Sequence, residues 1–221
     1  MTRAEVAKEG GTVTHVVCDD TATLLFLADQ ACVTPHRWLS RTDRAAGPDH
    51  PDRLVFDLDP PDDDFAPVRA AAAVLRTLLD ELALPAAPVT TGSRGLHLVV
   101  PLDGRQGFDE VRRFAHDVAE LAAARHPDRL TTVVRKEDRG DRSLSRRPAQ
   151  RLRTDRRGPY AVRDRPGAPD AWSQLEDPGL HARRWTIADA LEQDRTDPWA
   201  ELPAGGRGLG PARRRLAELR G

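Results

Sequence analysis

Apolar and polar positions fall into blocks along the chain, and each block predicts an element. Thr12–Val17 is rich in β-branched residues and reads as a strand. The apolar run Ala22–Gln30 follows Asp19 and Asp20, either of which can cap a helix there. A short strand is expected near His36–Leu39, before the polar, turn-rich stretch Arg41–Pro51. Leu54–Leu58 is a compact apolar strand closed by Pro60 and Pro61. Val68, Ala72, Leu75, Leu79 and Leu82 recur at helical spacing, predicting a helix from Ala66 toward Leu84, preceded by Asp62–Asp64 and broken by Pro85–Pro88. The block from Val89 to Pro101 reads as strand, glycine-containing turn and strand, and Phe108–Ala124 as a second amphipathic helix.

Beyond His126 this order fades. Ser143–Gly158 has no apolar period and is dense in arginine. Tyr160–Val162 is short and strand-like, Trp172 and Trp185 sit in a proline-rich tail, and helices are expected at Ile187–Gln193 and Pro211–Leu219. There is no internal repeat. The 221 residues allow one large domain or two small ones.

Charge changes the picture only through its distribution. Lysine plus arginine number 34 against 35 acids, so net charge implies no polyanionic partner. Residues 43–64 are acidic, whereas residues 135–165 are basic, a pairing that suits metal plus phosphate although charge runs are commonly solvated surface. Arginine is used almost to the exclusion of lysine, the imprint of a GC-rich genome, which discounts the arginine excess as functional evidence. Cys18 and Cys32 are the only cysteines, which argues against a disulfide scaffold and a zinc site. No apolar stretch approaches membrane-spanning length and no signal-peptide pattern follows Met1, so a cytoplasmic, nucleoid-associated location is expected.

Two motifs carry chemistry. In Leu54-Val-Phe-Asp57-Leu-Asp59-Pro60, side chains at i and i+2 of a strand share a face, so Asp57 and Asp59 project together. Two such carboxylates repel unless a cation lies between them, and hard divalent metals prefer oxygen ligands. The plainer reading is an Asp-rich strand end that caps the next helix. In Thr91-Gly-Ser-Arg-Gly-Leu-His97 the glycines can turn backbone N–H groups toward a phosphate and Arg94 can add charge. Gly-containing hairpin turns are common for structural reasons alone, and lone histidines such as His36 and His97 are often structural.

The string Asp49-His-Pro-Asp-Arg-Leu-Val-Phe-Asp-Leu-Asp-Pro60, followed by Thr91-Gly-Ser-Arg-Gly-Leu-His-Leu-Val-Val-Pro101, closely resembles the polymerase domain of bacterial DNA ligase D, in the archaeo-eukaryotic primase superfamily. Val16-Val-Cys-Asp-Asp-Thr-Ala-Thr-Leu24, His36-Arg-Trp-Leu-Ser40, Pro159-Tyr-Ala-Val-Arg163 and Pro166-Gly-Ala-Pro169 also resemble it, in the same order. The resemblance covers roughly residues 10–200. It implies an α+β primase-polymerase fold with mixed sheets and flanking helices, followed by a tail or helix over residues 201–221. It further implies template-directed addition of nucleotides at broken DNA ends in non-homologous end joining, with Mn2+ or Mg2+. The partners it implies are DNA ends and nucleoside triphosphates, with a Ku-like protein and a DNA ligase beside them. Asp57 and Asp59 match the family's first metal pair. His36, Thr91 (usually Ser) and His97 match nucleotide-contacting positions, and Arg94 (usually Lys), Arg139 and Arg163 match basic residues around the triphosphate.

Two departures matter. The family domain begins roughly 80–100 residues earlier, so an incomplete N-terminal part of the fold and a partly uncovered core are expected. The third metal carboxylate is also absent, with Arg146 at its position, where a cation repels metal ions. A pair of compensating frameshifts accounts for this. A family-like string, Leu-Phe-Leu-Asp-Val-Gln-Arg-Asn-Ala-Tyr-Gly-Gln-Thr-Ala-Val-Ala-Pro, written in GC-rich codons and read from its third base, yields Leu144–Pro159 of this chain. The exchange predicts poor packing of Ser143–Gly158. A genuine basic loop gripping DNA phosphates is the alternative for that segment. Two functional readings follow: an end-filling polymerase impaired at its third ligand, or a catalytically silent remnant that at most binds nucleic acid. A single-metal Asp-x-Asp phosphatase is set aside, because Pro60 and Pro61 stand where that chemistry usually has Gly-Thr.

Overall fold

The apolar block at Leu54–Leu58 forms the middle of a five-stranded sheet. In chain order the elements of this computed structural model are β1 (Thr2–Lys8), β2 (Gly11–Val17), α1 (Thr21–Asp29), β3 (His36–Arg37), β4 (Arg53–Asp59), α2 (Ala66–Glu81), β5 (Ala87–Thr90), β6 (Leu96–Pro101), α3 (Phe108–Arg125), β7 (Leu130–Thr131), β8 (Ser143–Arg146), β9 (Arg156–Arg157), α4 (Ile187–Arg195) and α5 (Leu209–Arg220). The structure describes residues 1–8, 10–42, 47–60, 62–132, 143–146, 156–157, 161–162, 165, 167–168, 170–200 and 202–221. The main sheet runs β5-β6-β4-β8-β7, antiparallel except for the parallel β7–β8 pair. Two-stranded pairs β1–β2 and β3–β9 complete the strands. This is the expected α+β arrangement of mixed sheets with flanking helices.

Alternation along β4 sorts its residues into two jobs. Leu54, Phe56 and Leu58 enter a core with Val68, Leu75 and Leu79 of α2 and Val111, Phe114 and Val118 of α3. The α2 and α3 residues are the ones whose helical spacing predicted a buried stripe. On the opposite face Val55 packs with Leu39, Val89, Val99 and Phe108. Asp57 and Asp59 belong to that second face, beyond the apolar cluster.

Some boundaries shift for local reasons. α2 stops at Glu81, short of Leu84, because Ala83 takes a left-handed backbone (φ 54°) and the chain turns out of the helix there. Asp20 is the cap of α1, accepting the Thr23 N–H at 2.6 Å. β1 was not expected: its Ala, Glu and Lys residues lack strand preference, and it is held by full pairing with β2 across the Gly10–Gly11 turn. In α1 only Thr23 is buried, while Leu24, Leu25 and Phe26 are 59%, 65% and 44% exposed.

Within Ser143–Gly158, whose side-chain packing lies outside the described residues, the backbone forms two strands. Residues 143–146 form β8, and residues 156–157 form β9. Ladder bonds are made by backbone groups that every residue carries, so β4 keeps a partner whatever side chains the string brings. The remainder of that segment lies outside the described residues. No described helix is long and apolar enough to cross a membrane.

Candidate metal and nucleotide site

The two acids stand at the C-terminal end of β4. Asp57 is buried and Asp59 half-buried. Antiparallel register places His97 of β6 directly across from Asp57, and its Nε2 lies 3.4 Å from Asp57 Oδ1. On the other side β8 pairs Arg146 with Asp57 and Leu144 with Asp59. Directly paired positions share a face of the sheet. The Arg146 position is therefore next to Asp57.

The 91–95 turn closes against the same strand end. Thr91 Oγ1 donates to the Gly95 carbonyl at 2.9 Å and accepts the Gly95 N–H at 3.1 Å. The Thr91 N–H also reaches the Gly95 carbonyl, and the Gly92 N–H donates to Ala182 O at 2.9 Å. Three of the turn's N–H groups are thus consumed inside the fold, unlike the open phosphate cradle that the glycines suggested. Those of Ser93 and Arg94 have no partner among the described residues, and Arg94 is exposed. Gly95 is required by close approach: a Cβ there would lie 2.6 Å from the Leu58 carbonyl and 3.2 Å from Asp59 Oδ1.

The described residues Ala161, Val162, Arg165, Gly167, Ala168 and Asp170 cross this turn and brace it. Arg165 N–H donates to Gly92 O, and Gly167 N–H to Ala161 O. Val162 N–H donates to Val33 O at 2.8 Å, and Thr34 Oγ1 donates back to the Val162 carbonyl, which ties the turn's brace to the strand start before His36. His36 is exposed on β3, paired in register with Arg157 of β9. Beside it, burial pushes the Arg37 guanidinium down to about 9, with the neighbouring Arg53 charge acting in the same direction and Asp52 opposing. It stays protonated at neutral pH. Asp52 is itself gripped by Arg53 through two bonds of 2.7 and 2.9 Å. Arg139 and Arg163 lie outside the described residues.

Asp57, Asp59, His97, Thr91 and Gly95 are therefore brought together, with Arg94 at the rim and His36 linked through the brace. Among the described residues no group of three or more His, Cys, Asp or Glu side chains could hold a metal. Two carboxylates on one strand face fit a single hard divalent cation. The β8 position paired with Asp57 carries arginine, so it supplies no third carboxylate there.

The model of the LigD primase-polymerase domain family matches residues 1–199. The chain belongs to this family. Its LigD relatives include the multifunctional non-homologous end joining DNA repair protein LigD of Mycobacterium tuberculosis, 32% identical over 190 residues, covering 81% of this chain and 25% of the relative. The LigD of Pseudomonas aeruginosa is 33% identical over 181 residues, covering 76% of this chain and 21% of the relative. The chain thus spans about a quarter of the length of these LigD proteins. A solved polymerase domain of Mycobacterium tuberculosis ligase D in complex with DNA superimposes with a TM-score of 0.81 at 30% identity, covering 91% of this chain and 75% of that one.

Within this LigD polymerase fold, sequence reading overlooked one polar residue. Asp170 is completely buried, and its carboxylate accepts Trp185 Nε1–H at 2.8 Å and Thr90 N–H at 2.9 Å. Burial pushes its carboxyl up to about 7, against the opposing pull of those two bonds. Its partners lie 15 and 80 residues away in the chain, so no local pattern announces it.

Proposed function

We propose that this chain is an end-joining nucleotidyltransferase module that binds a nucleoside triphosphate at DNA ends and is impaired in transfer. The observation that carries the binding half is the convergence of Asp57, Asp59, His97 and the 91–95 turn on one strand end. Asp57 and Asp59 would hold a divalent cation, Mn2+ or Mg2+. That ion would neutralise the triphosphate and lower the barrier to attack at phosphorus. Arg94 and the outward N–H groups of Ser93 and Arg94 supply further positive potential at the rim. His97 fixes Asp57 laterally, and the closed Thr91–Gly95 turn keeps the rim at a set height above Asp59.

The second reading, a silent remnant that only binds nucleic acid, is favoured by the register that pairs Arg146 with Asp57. A lost carboxylate ligand removes several kcal/mol of transition-state stabilisation. At about 1.36 kcal/mol per tenfold, transfer should be slower by roughly two to three orders of magnitude. DNA ends and triphosphates are the expected ligands, with a Ku-like protein and a separate ligase as partners and a cytoplasmic, nucleoid-associated setting. Residues 201–221, whose α5 packs Leu209 and Leu216 into the core, form the module's C-terminal tail.

Primer extension with manganese separates the readings. Weak extension that disappears in Asp57→Ala supports the impaired enzyme. Binding of an end-containing duplex with no extension at any enzyme concentration supports the remnant. Resequencing codons 140–160 tests the proposed frame exchange. An unshifted frame in DNA of related strains supports it, and an arginine-rich segment common to all of them, with no shift relation, refutes it.

A further inference from the structure

We infer that Asp170 is a positioning residue for the 91–95 turn, a buried carboxyl whose hydrogen bonds tie the strand leading into that turn to the residues that brace it; its relevance to nucleotide rests on the reading above. The argument begins with what the turn is tied to. Its inner side leans on β4 through Gly95. Its outer side is held by Arg165 N–H on Gly92 O and by Ala182 O on Gly92 N–H, and the strand leading into it is held by Ala168 and Asp170. Thr90 N–H is shared between Ala168 O at 3.0 Å and Asp170 Oδ2 at 2.9 Å. Thr90 Oγ1 donates to Ala168 O and accepts Ala168 N–H, both at 3.2 Å. Asp170 N–H returns to Pro88 O at 3.0 Å. A Cβ on Gly92 would lie 2.0 Å from Arg165 O, and one on Gly167 2.5 Å from Thr90 O, so the two backbones are in direct contact.

Among the described residues of this clamp, Asp170 is an ionisable side chain that grips both sides, holding Thr90 on β5 and Trp185 on the following segment. It is fully removed from water. Among the described residues, charged groups on the surrounding elements include Arg165 on its own segment, Arg184 stacked over the Trp185 ring at 5.3 Å, His97 on β6, and Asp189 at the start of α4. None of them offsets the burial of Asp170, which is what holds its carboxyl near 7.

The sign follows from linkage. In the latched state the carboxyl titrates near 7, and once released to water it titrates near 3.8. The latched state therefore binds the extra proton. Latching is complete below the released value, weakens as pH rises through the window between the two, and is flat above 7. Within that window the latching equilibrium falls about tenfold per pH unit.

Amide hydrogen exchange of Thr90, Arg165 and Asp170 in the full chain, corrected for intrinsic rates, reads this directly, because their N–H groups make the bonds across the clamp. The wild type should lose roughly a hundredfold of protection between pH 5 and 8. Asp170→Asn, which keeps an acceptor for Trp185 and cannot ionise, should be flat across that range. Trp185→Phe removes one donor from the carboxylate and should extend the decline upward by about one pH unit. It keeps the test decisive should Asp170→Asn not fold. Parallel wild-type and Asp170→Asn profiles, or an unmoved window in Trp185→Phe, would overturn the proposal. Manganese and ATP are then added to the wild type. Increased protection of Gly95 supports both claims. A pH window that responds as described with no effect of manganese and ATP leaves the latch standing and refutes only the nucleotide reading.

Discussion

Replacing Gly95 by alanine probes how closely the 91–95 turn must seat on the end of β4. The added Cβ would lie 2.6 Å from the Leu58 carbonyl, where ordinary van der Waals contact begins at 3.4 Å, and 3.2 Å from Asp59 Oδ1. The turn must therefore lift by close to the difference, about 0.8 Å, carrying Thr91 and Arg94 away from the acids. Overpacking against a backbone atom costs about 1–3 kcal/mol. The loss of glycine freedom in the unfolded chain returns about 0.4–1 kcal/mol. The net is a destabilisation of about 1–2 kcal/mol, or roughly 3–6 °C in melting temperature for a chain of this size. Thermal unfolding measures it, with Gly210→Ala as the control. That glycine lies in the first turn of α5, just before Pro211, with open space around its Cβ direction, so alanine there meets no neighbour and should change stability by less than about 0.5 kcal/mol. Apparent affinity for ATP in manganese, measured on the same samples, should fall for Gly95→Ala alone. If Gly95→Ala matched Gly210→Ala in both melting temperature and ATP affinity, the close seating of the turn would have no role in the site.

Two further substitutions test the rim and the exposed apolar surface. Arg94→Ala should weaken ATP binding in manganese by tenfold or more, as expected for losing a charge-assisted bond of about 1.5–3 kcal/mol, with the melting temperature unchanged; titration calorimetry and thermal unfolding check this. Leu25→Lys, at a position 65% exposed on α1, should reduce binding of an apolar dye and raise solubility without destabilising the fold. A destabilisation above about 1 kcal/mol there would show that Leu25 is packed.

How much was legible in the sequence depended on how local the cause was. β4, α2, β6 and α3 bury a regular face, so their period survives in the residue order, and the Asp57–Asp59 pairing follows from strand alternation alone. β1 was hidden because, among its described side chains, Val6 alone is buried and apolar, and its order comes from pairing with β2. β8 was hidden because an arginine-rich string has no apolar alternation, while its ladder with β4 is made by backbone groups. The turn's glycines were correctly singled out, but their use was different. They admit neighbouring backbones at Arg165 and Leu58, and Thr91 faces inward. Asp170 was unreadable for a related reason: its meaning comes from Thr90 and Trp185, which only the fold brings to it.

The most direct test of the account is a manganese titration followed by electron paramagnetic resonance, with ATP present, on the wild type, Asp57→Ala and Asp59→Ala. One protein-dependent manganese site in the wild type, lost or weakened at least tenfold in each variant while both remain folded, is the result predicted for a carboxylate pair that holds a cation against a triphosphate. An unchanged titration in both variants would contradict it, and with it the placement of chemistry at this end of β4.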